Sequence, residues 1–371
     1  MSDAPATLHL DTGRELRGGQ RQVAFVVEGS MRRGIRTGLV TPPDAPLARR
    51  LGSLEGLARS ELPFRGEWSL AALLGLRRLL REGGWQVVAC HTPHAISYAA
   101  FACGRRAALV AHRRVDFPLG RNPLARRKRG WPHLWVAVAG SVARQLERDG
   151  VPPEKIQVVP SAIDPARLEP RRSRQAVRRE LGVADGVTLI VSVGALAAHK
   201  GHASLIEAAA RLQGPFCLVI AGEGELRREL EDRVRGKGLS GQVRFVGQRS
   251  DVADLLAACD LYVFPSLSGE GSPAGLKEPL AMGVPTLASD LPAHREVGID
   301  ADWTFPPGDV DALAGLLRRA LEGRGPVVTA GLAAGVRERF SPERLVDDTL
   351  AAYRTALELR GAGRAGRKAG G

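Results

Sequence analysis

From residue 188 onward the chain alternates short apolar runs with longer stretches of helical periodicity, a pattern few folds accommodate. Apolar runs over residues 188–193, 216–220, 243–246 and 261–264 are too short for buried helices. Helix-length segments over 202–212, 225–235 and 251–258 separate them, and the series continues through 285–288, 303–305 and a helix over 310–321. Apolar strands alternating with helices make a parallel sheet covered on both faces, so residues 183–340 are expected to form one doubly wound α/β unit.

The first half repeats the alternation less regularly. Thr7-Leu8-His9-Leu10 reads as a strand, followed by a Gly18-Gly19 turn and a helix over 23–33. Further strands are expected over 36–41, 86–91, 107–112, 135–138 and 156–159, with helices over 68–81 and 141–148. Residues 1–168 therefore make a second α/β domain. The stretch 164–182, with Pro165, Pro170 and the run Arg171-Arg172-Ser173-Arg174, reads as the linker. A last helix is expected over 341–360, and the Gly/Ala/Arg-rich residues 361–371 are expected to be disordered.

Composition narrows the class. At 371 residues, 44% hydrophobic and 25% charged, the chain is a globular protein of two ordinary domains. No apolar run approaches the ~20 residues that span a bilayer. The polar start Met1-Ser2-Asp3 is not a secretory signal, so a cytoplasmic protein is expected, peripheral at the inner face of the membrane. Cys90, Cys103, Cys217 and Cys259 lack any C-x-x-C spacing and read as reduced core residues. Residues 1–170 carry 26 Lys+Arg against 15 Asp+Glu, so +11 of the net charge of +13 lies there. Only 6 of the 53 basic residues are Lys, an arginine bias that genome composition alone can produce; the functional reading is an anionic partner surface such as a bilayer face. A nucleic-acid binder would interleave basic residues with exposed aromatics, and aromatics make up 5% of the chain.

The densest chemistry lies in Ser266-Leu267-Ser268-Gly269-Glu270-Gly271-Ser272-Pro273-Ala274-Gly275-Leu276-Lys277-Glu278. It follows an apolar strand and precedes helix formers, the place where free backbone N–H groups and the helix dipole favour an anion. Read as local structure alone, Ser272 is an N-cap and Pro273 the first helical residue, which leaves Glu270 without a role. His91 and His112 end strands of the first domain, where parallel sheets bind ligands.

Taken with Gly18-Gly19-Gln20-Arg21, His91-Thr92-Pro93-His94, Val159-Pro160-Ser161-Ala162-Ile163-Asp164, Gly194…Lys200-Gly201, Ala221-Gly222-Glu223-Gly224 and Phe245-Val246-Gly247, this stretch resembles the retaining glycosyltransferases of family 4. The resemblance covers nearly the whole chain. It implies an α/β fold of the GT-B type, two Rossmann-like domains facing each other across a cleft. The N-terminal domain would bind the acceptor and the C-terminal one the nucleotide-sugar, with the last helix crossing back to the first domain. The implied reaction moves a sugar from the nucleotide-sugar to a glycan or lipid-linked acceptor with retention, in cell-envelope polysaccharide or lipopolysaccharide synthesis, with no metal or other cofactor.

Residue roles follow from the resemblance. Lys200 and the backbone N–H groups that follow Pro273 at the helix start, those of Ala274, Gly275 and Leu276, would hold the leaving diphosphate, whose growing charge is the main catalytic demand. Glu270 would accept from sugar hydroxyls and Glu278 from the ribose diol. Gly18, Gly19, Gly194, Phe245, Gly247, Arg249 and Ser272 complete the donor side. Lys200, Glu270 and His112 are the catalytic candidates, and His91, Arg114 and Asp116 stand on the acceptor side. The acceptor-side catalytic residue stays open between His112, Arg114 and Asp116. Three departures qualify the match. Ala195 stands where many relatives carry Arg, leaving Arg21 or Arg249 to substitute. The family's His falls near Arg114. Pro279 follows Glu278 and is expected to delay or kink the helix. Asp309-Val310-Asp311 spells a metal-binding D-x-D but opens a helix, where Asp309 is expected to be an N-cap. Two other readings were weighed: a nucleotide-sugar epimerase of the same fold, whose further carboxylate motifs are missing, and a non-catalytic anion-binding protein.

Overall fold

The computed structural model describes residues 4–16, 18–66, 69–104, 106–115, 117–120 and 123–368. The chain divides into two compact units: residues up to Ala162 together with Pro342 onward, and Ile163–Ser341.

In the first unit the order is β1 (Thr7–Leu10), α1 (Gly18–Arg32), β2 (Thr37–Thr41), α2 (Pro46–Arg50), β3 (Ala58–Glu61), α3 (Leu70–Glu82), β4 (Val87–Cys90), α4 (Pro93–Cys103), β5 (Ala108–Arg113), α5 (Pro123–Arg129), β6 (Leu134–Ala137), α6 (Gly140–Arg148) and β7 (Ile156–Val158). The second unit contains α7 (Arg174–Glu180), β8 (Thr188–Val193), α8 (His202–Ala209), β9 (Phe216–Ala221), α9 (Arg227–Gly236), β10 (Val243–Phe245), α10 (Val252–Ala258), β11 (Leu261–Phe264), α11 (Ala274–Ala281), β12 (Thr286–Ser289), α12 (Pro292–Arg295), β13 (Thr304–Phe305), α13 (Val310–Leu321) and α14 (Ala330–Arg339). Helix α15 (Pro342–Lys368) returns to the first unit.

Both sheets are wholly parallel. Their strand orders are β3-β2-β1-β4-β5-β6-β7 and β10-β9-β8-β11-β12-β13. Each order reverses direction once, between β1 and β4 and between β8 and β11, and the connections leave a crevice there at the strands' carboxyl ends. Buried Val, Ile and Leu on both faces of each sheet make the cores, among them Leu8, Val88 and Leu109 in one and Leu189, Val219 and Val263 in the other. The fold is a pair of Rossmann-like α/β units.

Several elements depart from the sequence reading. Helix α1 begins at Gly18, so Gly18 and Gly19 form its first turn rather than a turn ahead of it. Apolar periodicity starts only at Val23, which is why the polar first turn was not visible. The stretch read as a linker carries a 3-10 turn, Pro165–Arg167, and helix α7, both within the second unit. Asp254 accepts from the Arg171 and Arg172 backbone amides, and Arg172 also pairs with it through its guanidinium at 2.9 Å, so the charge run is tied down. In the Gly/Ala/Arg-rich end α15 continues to Lys368, and residues 369–371 lie outside the described residues. The short β3 carries Arg59, Ser60 and Glu61 and is largely exposed, which hides it from an apolar pattern.

Helix α11 also differs. Pro273 is its N-cap and Ser272 does not cap it; Ser272 Oγ instead accepts from the Lys277 ammonium. The helix begins at Ala274 and runs through Pro279 without a late start. It is two turns long, so the proline's missing N–H removes a single bond near its end.

Candidate active site

In the second unit the glycines create the site by allowing backbone to approach backbone. A Cβ on Gly222 would lie 1.8 Å from the Gly194 carbonyl oxygen, and one on Gly224 2.4 Å from that of Leu196. The loops after β8 and β9 are therefore stacked, with Leu196 N–H donating to Glu223 O at 2.9 Å and Gly222 N–H to Gly247 O at 2.8 Å. Gly201 has φ +70°, and a Cβ there would lie 2.0 Å from Pro265 O. Together with Leu267 N–H donating to His199 O at 2.7 Å, this fastens the turn Ala198–Lys200 to the loop after β11.

That fastening brings Lys200 and Glu270 together although they lie 70 positions apart in the chain. Lys200 Nζ donates to Glu270 Oε1 at 2.6 Å, and Ser266 Oγ donates to the same oxygen at 2.7 Å. The Lys200 ammonium also stands 5.8 Å over the Phe264 ring. Phe264 in turn meets Gly275, where a Cβ would come within 2.9 Å of the ring, so only glycine lets the start of α11 pack this closely on β11. Leu276 and Lys277 bond back to Pro273 O, leaving the Ala274 and Gly275 amides at the helix start with no intrahelical acceptor. A lysine, two first-turn amides and a buried carboxylate thus share one loop cluster.

Glu278 is one turn further in, its side chain 5% exposed. Arg167 Nε donates to its Oε1 at 2.6 Å and Arg167 Nη2 to its Oε2 at 3.2 Å. Lys277, between this pair and Ser272, is fully buried over the Phe340 ring at 4.3 Å; burial, followed by the nearby Arg339 charge, pulls its ammonium down to about 7. His294 is buried as well: its Nδ1–H donates to Ser289 O at 2.6 Å, and burial lowers its basicity.

Of the remaining donor-side residues, Gly194 and Gly247 belong to the stacked loops. Phe245 lies under the Arg227 guanidinium at 5.1 Å. Arg249 does not reach toward Lys200 as a substitute charge: it is bound to Asp251 at 2.7 and 2.8 Å and to Glu180 at 2.8 Å. Asp309 caps α13, accepting from Ala312 N–H at 2.9 Å, and Asp311 pairs with Arg211.

In the first unit a second cluster occupies the carboxyl ends of β1, β4 and β5. Arg114 Nη2 stands 3.0 Å from His91 Nδ1, and His91 Nε2 3.0 Å from His9 Nδ1. A guanidinium can only donate, so His91 Nδ1 accepts, its Nε2 carries the proton and donates to His9, and the His9 proton sits on Nε2. That Nε2 is buried with no partner among the described residues. His112 Nε2 bonds the Tyr353 hydroxyl at 3.1 Å, and its ring lies 4.5 Å from that of His91. Burial drives His9 down to about 3 and holds His91 and His112 well below their ordinary range, with the neighbouring Arg114 charge acting the same way. Asp11 accepts from Gly13 N–H at 2.7 Å and faces Arg114, while burial raises its carboxyl. Gly19 packs on Arg114, where a Cβ would come 3.4 Å from Cδ; Gly18 is open. Asp116 lies outside the described residues.

Sequence reasoning missed His9, Asp11, Arg167, His294 and Tyr353. Asp11 follows the last residue of β1, so the strand-end rule applied to His91 would have found it. The others are joined to the site only by long-range contacts.

Residues 173–334 match the model for glycosyl transferases group 1, and residues 16–167 match that for glycosyltransferase family 4. Between them the two models span 16–334 apart from 168–172. The chain belongs to the family 4 glycosyltransferases. Among its relatives within that family is the amylovoran biosynthesis glycosyltransferase AmsK of Erwinia amylovora, 30% identical over 233 residues, covering 58% of this chain and 55% of AmsK. A D-inositol 3-phosphate glycosyltransferase of Geodermatophilus obscurus is 29% identical over 360 residues, 83% of this chain and 74% of that protein. The chain spans about half the length of the first curated relatives it matches. The glycosyltransferase of Rickettsia africae shares the fold with a TM-score of 0.81 at 16% identity, covering 96% of this chain and 99% of that one. Anabaena HepE in complex with UDP does so with a TM-score of 0.79 at 19% identity, covering 92% and 97%. These likenesses are of fold, and they bear out the GT-B architecture of two Rossmann-like units.

Proposed function

We propose that the protein is a retaining, metal-independent glycosyltransferase that transfers a sugar from a nucleotide diphosphate donor to a glycan or lipid-linked acceptor of the cell envelope. The observation that carries this reading is the Lys200–Glu270 pair at 2.6 Å beside the start of α11. An incoming diphosphate replaces Glu270 as the counter-charge of Lys200 and takes the Ala274 and Gly275 amides as donors. Glu270 is then released to accept from sugar hydroxyls. In the transition state the anomeric C–O bond to phosphate breaks as the acceptor oxygen bonds to that carbon on the same face. The acceptor's proton passes to the leaving phosphate oxygen, which the fixed donors stabilise. Both D-x-D spellings, Asp300-Ala301-Asp302 and Asp309-Val310-Asp311, open with a helix cap, Asp300 accepting from Asp302 N–H at 3.0 Å and Asp309 from Ala312 N–H at 2.9 Å, which favours a mechanism without a bridging metal.

The cell-envelope assignment draws support from relatives named for amylovoran, colanic acid and lipopolysaccharide core biosynthesis. A cytoplasmic protein at the inner membrane face suits the surface of the first unit. The outer face of α3 exposes Leu70 at 72% and Leu74 at 54%, followed by Arg77, Arg78 and Arg81, and Phe101 and Arg106 stand beside them. Among the described residues no helix is long and apolar enough to cross a membrane.

The deciding experiment is calorimetric titration of UDP, GDP and ADP into the wild type and Glu278→Ala. One nucleotide is expected to bind the wild type, with affinity lost on the order of tenfold or more in the variant. Equal affinity for both proteins removes the ribose role of Glu278, and no binding of any nucleoside diphosphate overturns the donor assignment.

A further inference from the structure

Arg167 belongs to none of the motifs above, yet its guanidinium meets both oxygens of Glu278, at 2.6 and 3.2 Å. Its placement is unusually well determined. Asp164 Oδ1 accepts from Ala166 N–H at 3.2 Å, Pro165 fixes its own φ, and Arg167 and Leu168 N–H close the 3-10 turn onto Asp164 O and Pro165 O at 2.9 and 3.0 Å. On one side of the turn Ile163 is buried in the core of the second unit and donates to Phe340 O at 2.8 Å; on the other Leu168 packs on the same core. The side chain leaves this rigid turn 33% exposed and ends on the buried carboxylate with Nε on Oε1 and Nη2 on Oε2. A surface arginine seeking any counter-ion would not need such a turn, and two parallel N–H···O bonds fix the carboxylate plane where one contact would leave it free to rotate.

Resting on the nucleotide-sugar reading of this site, we infer that Arg167 is a positioning residue that sets the orientation of the Glu278 carboxylate for the ribose diol. A carboxylate offers about four acceptor sites over its two oxygens, so the guanidinium and the two ribose hydroxyls can be held together. Arg167 also sets a positive charge beside this buried carboxylate, whose two oxygens accept from the guanidinium in parallel. Burial raises the Tyr262 phenol and weakens the Lys277 ammonium, and neither has the planar fork with which Arg167 meets both carboxylate oxygens.

The test compares ligands that carry the diol with ligands that lack it. UDP, GDP and ADP, each against its 2′-deoxy form, and inorganic pyrophosphate are titrated into the wild type, Arg167→Met, Arg167→Lys and Glu278→Ala. The wild type is expected to prefer the ribonucleotide over the deoxy form. Arg167→Met is expected to lose on the order of tenfold in affinity for the ribonucleotide, with the preference for the diol gone and pyrophosphate binding unchanged. Arg167→Lys keeps the charge without the fork and restores part of the affinity. Thermal melting confirms that the variants are folded, and if Arg167→Met melts early, Arg167→Lys alone carries the comparison through its reduced diol preference. Diol preference unchanged in Arg167→Met, or equal loss for pyrophosphate, overturns the inference. If Glu278→Ala also keeps the preference, the ribose reading itself has failed; if only the arginine variants keep it, the positioning role alone has.

Discussion

At the carboxyl ends of β8 and β11 the buried acids are matched by full positive charges, Glu270 by Lys200 and Glu278 by Arg167, both at 2.6 Å. At the ends of β1, β4 and β5 three imidazoles are instead held neutral around one arginine. The first arrangement suits a ligand that arrives charged, because a diphosphate can take the place of one carboxylate without leaving a charge bare. The second sets neutral imidazole donors and acceptors beside the single charge of Arg114, the chemistry that sorts hydroxyl-bearing ligands. The same Rossmann-like scaffold, with its crevice at the strand ends in both units, thus presents paired opposite charges once and neutral imidazoles around one arginine once.

The comparison breaks most sharply at Lys200. Among the described residues Lys200 is the cation that meets Glu270, and on the proposed reading it is one donor to the leaving phosphate. Lys200→Ala is expected to lower turnover by about 10²–10³ in a chain that still folds but melts earlier, since Glu270 is left buried without its counter-charge. Steady-state kinetics beside thermal melting checks this, and turnover within a few-fold of wild type would separate the ion pair from catalysis.

The neutral histidines make the opposite prediction, for stability rather than rate. Each is held below its ordinary value when folded, so between that lowered value and the unfolded value near 6.5 the unfolded chain binds more protons. Their contribution is present above pH 6.5 and is lost as pH falls below it, by about 1.4 kcal/mol per pH unit for each histidine kept neutral. Trp85, Trp131 and Trp135 lie in the first unit, so urea unfolding followed by tryptophan fluorescence between pH 7 and 5 reports on it. His9→Leu is expected to reduce the loss of stability with acid by close to one proton's worth. An unchanged slope would mean that His9 does not titrate on unfolding.

Where the sequence was informative, the physical cause is local. Strand and helix alternation follows from burying both faces of a parallel sheet, and the Asp309 cap from a side chain meeting an amide three residues on. The site was legible only in its glycines, its acids and Lys200, because those residues cluster in short loops. Lys200 with Glu270 and Arg167 with Glu278 are brought together by chain reversals 70 and 111 residues long, and no periodicity reports such pairs. His9 was hidden for another reason: within a four-residue buried strand it reads as one more core position. Tyr353 reaches His112 only because α15 returns to the first unit.

The smallest effects concern the surface that distinguishes the two halves, since residues 1–170 hold +11 of the +13 net charge. If α3 and α4 rest on an anionic bilayer, Leu70 and Leu74 enter the interface while Arg77, Arg78 and Arg81 stay with the headgroups. Each arginine near such a surface contributes about 1 kcal/mol, roughly fivefold in partition. Arg78→Gln with Arg81→Gln is therefore expected to weaken binding to phosphatidylglycerol vesicles about twenty-five-fold at low salt, with activity on a soluble acceptor retained. Co-sedimentation across a salt series measures it, since screening over a Debye length of about 8 Å at physiological ionic strength must shrink the difference. Equal sedimentation of wild type and variant at low salt would leave the positive charge of this half as composition without a bilayer to meet.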